Sequence, residues 1–156
     1  MRTFTVKRLA VQTTRYTEHD VILCAYLADS ADLSGETFMF QQNLAGHDEQ
    51  DRELGQDTYC LTTSPGQATH YGGITRYHFD GKALTLYLDG DAGRFYGTEG
   101  IRFDLQVPTR SIAILRKALP RLFPDVLHAV SDHETTKRRK SRKPRRKPSR
   151  PPRSRA

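Results

Sequence analysis

The dipeptide Asp80-Gly81, set between two runs of alternating apolar residues, constrains the fold of this chain more than any other feature. A two-residue type I′ turn needs positive φ at both central positions, which Asp-Gly supplies at little cost. ITRYHF and ALTLYL are therefore expected to pair as an antiparallel hairpin. That turn fixes a register: Phe79 opposite Lys82, His78 opposite Ala83, Tyr77 opposite Leu84, Thr75 opposite Leu86 and Ile74 opposite Tyr87. One face then gathers Thr75, Tyr77, Leu84, Leu86 and Leu88, and the other Arg76, His78, Thr85 and Tyr87. A slip of one residue would turn the leucine row into solvent, so turn and pattern reinforce each other.

Similar strand signals lie on both sides. Thr3–Val11 is rich in β-branched residues, and Val21–Ala28 (VILCAYLA) is apolar on both faces, as a central strand is. Thr37–Gln41 places Phe38 and Phe40 on one face. Between these runs, Asp29–Glu36 reads as a turn. Asn43–Gln56 is polar and reads as a surface loop, with one helical turn at Asp51–Leu54. Asp89–Gly97 suits a helical turn ended by Gly97. Ile101, Phe103, Leu105 and Val107 alternate with Arg102, Asp104 and Gln106, the pattern of a half-buried strand, and Pro108 stops it. From Thr109 the period becomes helical: Ile112, Leu115, Leu119, Leu122 and Phe123, with Thr109 or Ser111 as N-cap. Pro120 predicts a kink or break near Ala118–Leu119.

Charge is divided unevenly. Of the 25 Lys and Arg, 12 fall in residues 137–156, which contain no Asp or Glu. The remainder has 13 basic against 18 acidic side chains, a formal −5. The overall +7 therefore sums an acidic domain, residues 1–130, and a basic tail, residues 131–156, expected to be disordered because it has little to bury and its like charges repel. Lys137, Arg138, Arg139, Lys140, Arg142, Lys143, Arg145, Arg146 and Lys147 have the density to neutralise phosphates, which makes nucleic-acid association through the tail the alternative function. Two other readings stay open: loose folding back on the acidic domain, or a gene-end accident. No apolar run reaches the ~18 residues of a membrane span, and the N-terminus lacks the apolar core of a signal peptide. The expected location is the cytoplasm. Cys24 and Cys60 read as small buried hydrophobes of a reducing compartment, with a disulfide as the other possibility.

Asp48, Glu49, Asp51, Glu53 and Asp57 against Arg52 give residues 48–57 a local −4. Such a run is either a solvated loop or a patch that steers a basic partner. The six histidines show neither the tight spacing of a zinc motif nor a neighbouring nucleophile. His47 with Asp48 and Asp51 makes a metal site only on paper, and no catalytic residue, metal or cofactor is expected. Tyr71-Gly72-Gly73 reads as a sharp bend or bulge rather than a phosphate loop, because the Lys-Ser/Thr ending is missing and a strand follows.

Asp48-Glu49-Gln50-Asp51, Leu54-Gly55, Asp57-Thr58-Tyr59-Cys60, His70-Tyr71-Gly72-Gly73 and the strand–helix ending together resemble the immunity protein 10 family of bacterial polymorphic toxin systems. The resemblance runs from about Val21 to Phe123. It implies a small α+β protein that binds and neutralises a cognate protein toxin without catalysis and without a cofactor. No membrane partner is expected, since no apolar run is long enough to span one. Relatives of this kind end soon after the C-terminal helix, so the basic tail takes no function from the resemblance. The expected architecture is a mainly antiparallel sheet with the C-terminal helix packed on one face.

Overall fold

The computed structural model describes residues 1–32 and 34–129. The Lys/Arg-rich stretch and the expected domain boundary after residue 130 lie outside the described residues. In chain order the elements are β1 (Arg2–Val6), β2 (Arg8–Arg15), β3 (Val21–Ala28), β4 (Thr37–Asn43), α1 (Glu49–Glu53), β5 (Cys60–Ser64), β6 (Ala68–Tyr71), β7 (Ile74–Phe79), β8 (Ala83–Leu88), α2 (Gly90–Tyr96), β9 (Gly100–Leu105), α3 (Thr109–Leu122) and β10 (Leu127–His128). The strands divide between two five-stranded sheets, ordered β1-β9-β8-β7-β10 and β2-β3-β4-β5-β6. Pairing is antiparallel except for β1 with β9 and β10 with β7. The mainly antiparallel α+β architecture with a C-terminal helix on a sheet is thus present. No helix among the described residues is long and apolar enough to cross a membrane.

The two sheets stack face to face through aromatic rings. Phe4 of β1 meets Phe38 of β4 edge-on at 4.8 Å between centroids, and Phe103 of β9 meets Phe38 at 5.0 Å and Phe40 at 5.9 Å. Just past α3, Phe123 touches Phe40, Tyr59 and Tyr77, so one ring joins β4, the start of β5 and β7. The alternating Leu84, Leu86, Ile101, Phe103 and Leu105 and the helically spaced Leu115 and Leu119 join these rings in a single buried cluster. α3 lays Leu115, Ala118, Leu119 and Leu122 against β2, β3 and β4.

Several local expectations need correction. Thr3–Val11 is two strands, β1 and β2, that belong to different sheets and part at Lys7. The β7–β8 register is displaced by two: Phe79 faces Leu84, His78 faces Thr85 and Tyr77 faces Leu86. The turn centres on Gly81-Lys82, with Gly81 at φ +89°, instead of on Asp80-Gly81. Asp80 is held before the turn because its Oδ1 accepts from the amides of Lys82 (2.8 Å) and Ala83 (2.7 Å). A shift of two keeps every side chain on its face, so the hydrophobic pattern could not distinguish the two registers. A bulge between Ile74 and Arg76 moves Thr75 out of the leucine row to the exposed side and brings Ile74 in, so Ile74 faces Leu88.

In α3 the N-cap is Pro108, with no side-chain cap, instead of Thr109 or Ser111. The helix also runs unbroken past Ala118–Leu119, with Pro120 inside it. Only Arg121 and Leu122 follow Pro120, so the lost backbone donor falls in the final turn, where it disrupts least. α2 ends as expected, at Gly97 in the left-handed region, φ +68°.

Two outcomes test this packing. Phe103→Ala removes the ring shared by both sheets and should cost about 3–5 kcal/mol, read as a lowered denaturation midpoint; an unmoved midpoint would mean the ring is not at the sheet interface. The second concerns pH. Partial burial pushes Asp80 upward, but the amides of Lys82 and Ala83, with the charges of Arg102 and His78, outweigh it and hold the carboxyl below its ordinary value. A depressed native pKa stabilises the fold above the unfolded value, near ~4, and that contribution is lost as pH falls through the native value. Asp80→Asn should therefore be less stable than the wild type at pH 7, with the gap closing as pH drops below about 4. A gap independent of pH in urea melts would contradict the assignment.

Candidate functional site

The acidic segment forms the connection from β4 to β5, and its shape comes from its own carboxylates. Asp48 is the N-cap of α1, with its Oδ1 accepting from the Asp51 amide at 2.8 Å. The Asp51 side chain returns the bond, accepting from the Asp48 amide at 3.2 Å. This reciprocal arrangement satisfies two donors that the helix start would otherwise leave open. α1 buries none of its residues, so this cap is a large part of what holds it. Asp51 also faces His47, with Nδ1 3.7 Å from Oδ2, and the other ring nitrogen of His47 lies 3.3 Å from Gln42 Oε1.

The five expected contact residues therefore separate into two groups. Asp48 and Asp51 shape the segment. Glu49, Glu53 and Asp57 are exposed, and none forms an ion pair among the described residues. Glu49 and Glu53 stand four apart on one helix face, which concentrates their charge.

Asn43 ties this segment to the β2–β3 turn. Its Oδ1 accepts from the amides of Val21 and Ala45, and its Nδ2 donates to the His19 carbonyl and to Asp20. The two connections so joined enclose an open cleft of about 250 Å³, whose walls include Asp20, Ile22, Gln41, His47, Asp51 and Tyr71. Partial burial, then Cys60 and the Asp51 carboxylate, push the Tyr71 phenol above its ordinary value. Sequence reading missed Asp20, Asn43, Ile22 and Gln41. The available signal was the two-sided apolar pattern of VILCAYLA, whose outward residues, Ile22 among them, are here only half-buried.

The other candidate residues have structural tasks. Gly72 (φ +66°) and Gly73 (φ +86°) turn the chain from the second sheet into the first, and a Cβ on Gly73 would stand 2.5 Å from that of Ala92. Tyr59 fixes this crossing: its phenol donates to the Ile74 carbonyl and accepts from the Ile74 amide at 2.9 Å. His70 lies against Phe95 and Tyr96, while His78 in the other sheet bonds the Ala129 carbonyl at 2.7 Å. Cys24 and Cys60 are free and flank Gln41 on neighbouring strands, and burial raises both thiols. Among the described residues no three His, Cys, Asp or Glu side chains converge as a metal site. The basic residues from Lys137 to Lys147 lie outside the described residues.

Fold and surface together define a small α+β sandwich protein with an acid-edged cleft at one end of its second sheet. The chain belongs to the Immunity protein 10 family, whose model matches residues 6–113, from the end of β1 into α3. Membership makes it an immunity protein of a toxin system and implies a toxin as partner. No curated protein and no solved structure matches it.

The cap makes a local prediction. Asp48→Ala should destabilise α1 by about 1 kcal/mol. Faster amide exchange confined to residues 49–54, with little change in the global melting temperature, is the expected result. Unchanged exchange there would show that α1 does not depend on its cap.

Proposed function

We propose that this protein neutralises its cognate toxin by stoichiometric binding in the cytoplasm of the producing cell, and that the acidic segment 48–57 forms part of the contact. The family match over residues 6–113 supports this most directly. Electrostatics supplies the rest. Glu49, Glu53 and Asp57 project unpaired carboxylates from a segment whose short helix is held by the Asp48–Asp51 cap. Charges held this way attract a basic surface over several ångströms and raise the encounter rate. They cost the free protein little, because exposed charges contribute little to folding.

The experiment reverses charge where no structural bond is lost. Glu49→Lys, Glu53→Lys and Asp57→Lys are combined, and Asp48 and Asp51 are kept. Association with the toxin encoded beside this gene should slow by about tenfold or more at low salt, with the difference shrinking as salt rises, while the melting temperature holds. Protection of growth on co-expression should weaken in parallel. Full protection and an unchanged association rate by the folded triple variant would remove the acidic segment from the mechanism.

A further inference from the structure

The outward positions of β3, β4, β5 and β6 carry no Asp, Glu, Lys or Arg side chain. Ile22, Cys24 and Tyr26 of β3, Met39 of β4 and Thr62 of β5 stand there half-buried, with Tyr71 exposed on β6. α3 and the first sheet pack on the opposite, inward side of these strands, where Leu23, Phe38, Phe40 and Leu61 are buried. No described element covers the outward side. It carries two depressions: the cleft beside α1, and a second of about 430 Å³ at the far end, walled by Tyr26, Met39, Thr62 and Thr69.

The outward face of the first sheet is different in kind. There Arg102 pairs with Asp104 at 2.8 Å, and Arg76 lies over the Tyr87 ring at 4.0 Å. This face thus carries charge at its own centre, as a solvated face does.

We propose that the outward face of the second sheet is the toxin-docking surface, and that its occupant is a basic protein surface. This rests on the immunity reading above and assigns it a place. Uncharged Tyr, Met and Ile surrounded by charge is the anatomy of a protein interface, whose centre is depleted of charged groups and whose rim is polar. The rim is acidic at one end, where Asp20 and the 48–57 segment edge the cleft. At the other end Asp29 and Glu36 follow the inward rows of Leu27 and Phe38, Glu36 pairs with Arg2 of the first sheet, and Arg8 stands on the outward side opposite Ala28. A basic toxin surface would meet complementary charge at the acidic end. The two depressions offer seats for projecting side chains, and the single acidic end fixes orientation.

The test uses the full chain and the C-terminal toxin domain encoded beside it, with affinity read by calorimetry and folding by circular dichroism. Met39→Arg places bulk and a positive charge at the centre of the face, and Thr69→Arg does so at an exposed position on its edge strand. Thr3→Arg makes the same change on the outward face of the first sheet. Each of the first two should weaken binding by about tenfold or more, and Thr3→Arg should leave it unchanged. If Met39→Arg fails to fold, Thr69→Arg alone decides. Wild-type affinity in a folded Thr69→Arg or Met39→Arg protein, or loss only with Thr3→Arg, overturns the proposal. So does a wild-type dimer in sedimentation that the same two variants split, because the face then belongs to a second copy. Failure of the wild type to bind the toxin at all removes the immunity reading, a result distinct from any pattern among the variants.

Discussion

The fold depends on one seam of aromatic rings. Phe103 touches Phe4, Phe38 and Phe40, and Phe123 carries the contact on to Tyr59 and Tyr77. Edge-to-face pairs of this kind contribute roughly 0.5–1.5 kcal/mol each beyond the area they bury, and they also fix orientation. The tight crossings at Lys7 and at Gly72-Gly73 join the two sheets but do not by themselves fix how their faces meet. Interlocked rings do, because sliding one sheet past the other would break several contacts together. Phe123 extends the constraint to the end of α3, so the helix is held where it covers the inward side of β2, β3 and β4.

Filling the inward side has a consequence for the outward one. The aromatic and leucine cluster is filled from the inward positions, so the half-buried outward residues Ile22, Tyr26 and Met39 are free to answer to something else. The connections at the strand ends inherit their positions from the same frame. Asn43 closes the last residue of β4 onto the β2–β3 turn, and Tyr59 fastens the crossing at Ile74. The acidic segment is therefore anchored at both strand ends, although α1 itself buries nothing.

Much of this was legible in the residues, and most of the failures trace to what alternation leaves unsaid. Alternation reports which face a side chain occupies, and it did so for Leu84, Leu86, Ile101, Phe103 and Leu105. It is silent about a displacement of two, and so the Asp80 side chain, by bonding the amides of Lys82 and Ala83, could set a register that the pattern did not reveal. Alternation is equally silent about which sheet a strand joins. Thr3–Val11 read as one strand because nothing in its composition marks Lys7 as the point where the chain leaves one sheet for the other. β10 is two residues long, too short to leave any periodic trace, and it depends on the Ala129 amide reaching the Tyr77 carbonyl across the sheet edge. The acidic segment was visible as charge. Its division into capping and free carboxylates was not, because that depends on backbone geometry at Asp48.

That division changes how the surface is to be understood. In a sequence, five carboxylates in ten residues look equivalent. In the structure Asp48 and Asp51 accept backbone amides, so part of their charge is already used by donors that move with them. Glu49, Glu53 and Asp57 keep their full field available to solvent and to a partner. A charge run can thus be partly scaffold and partly signal, and the scaffold part is what allows the signal part to be held in place on so short a helix. The uncharged face beside it can change its contacts through Tyr26, Met39 or Tyr71 without disturbing the aromatic seam, because those side chains point away from it.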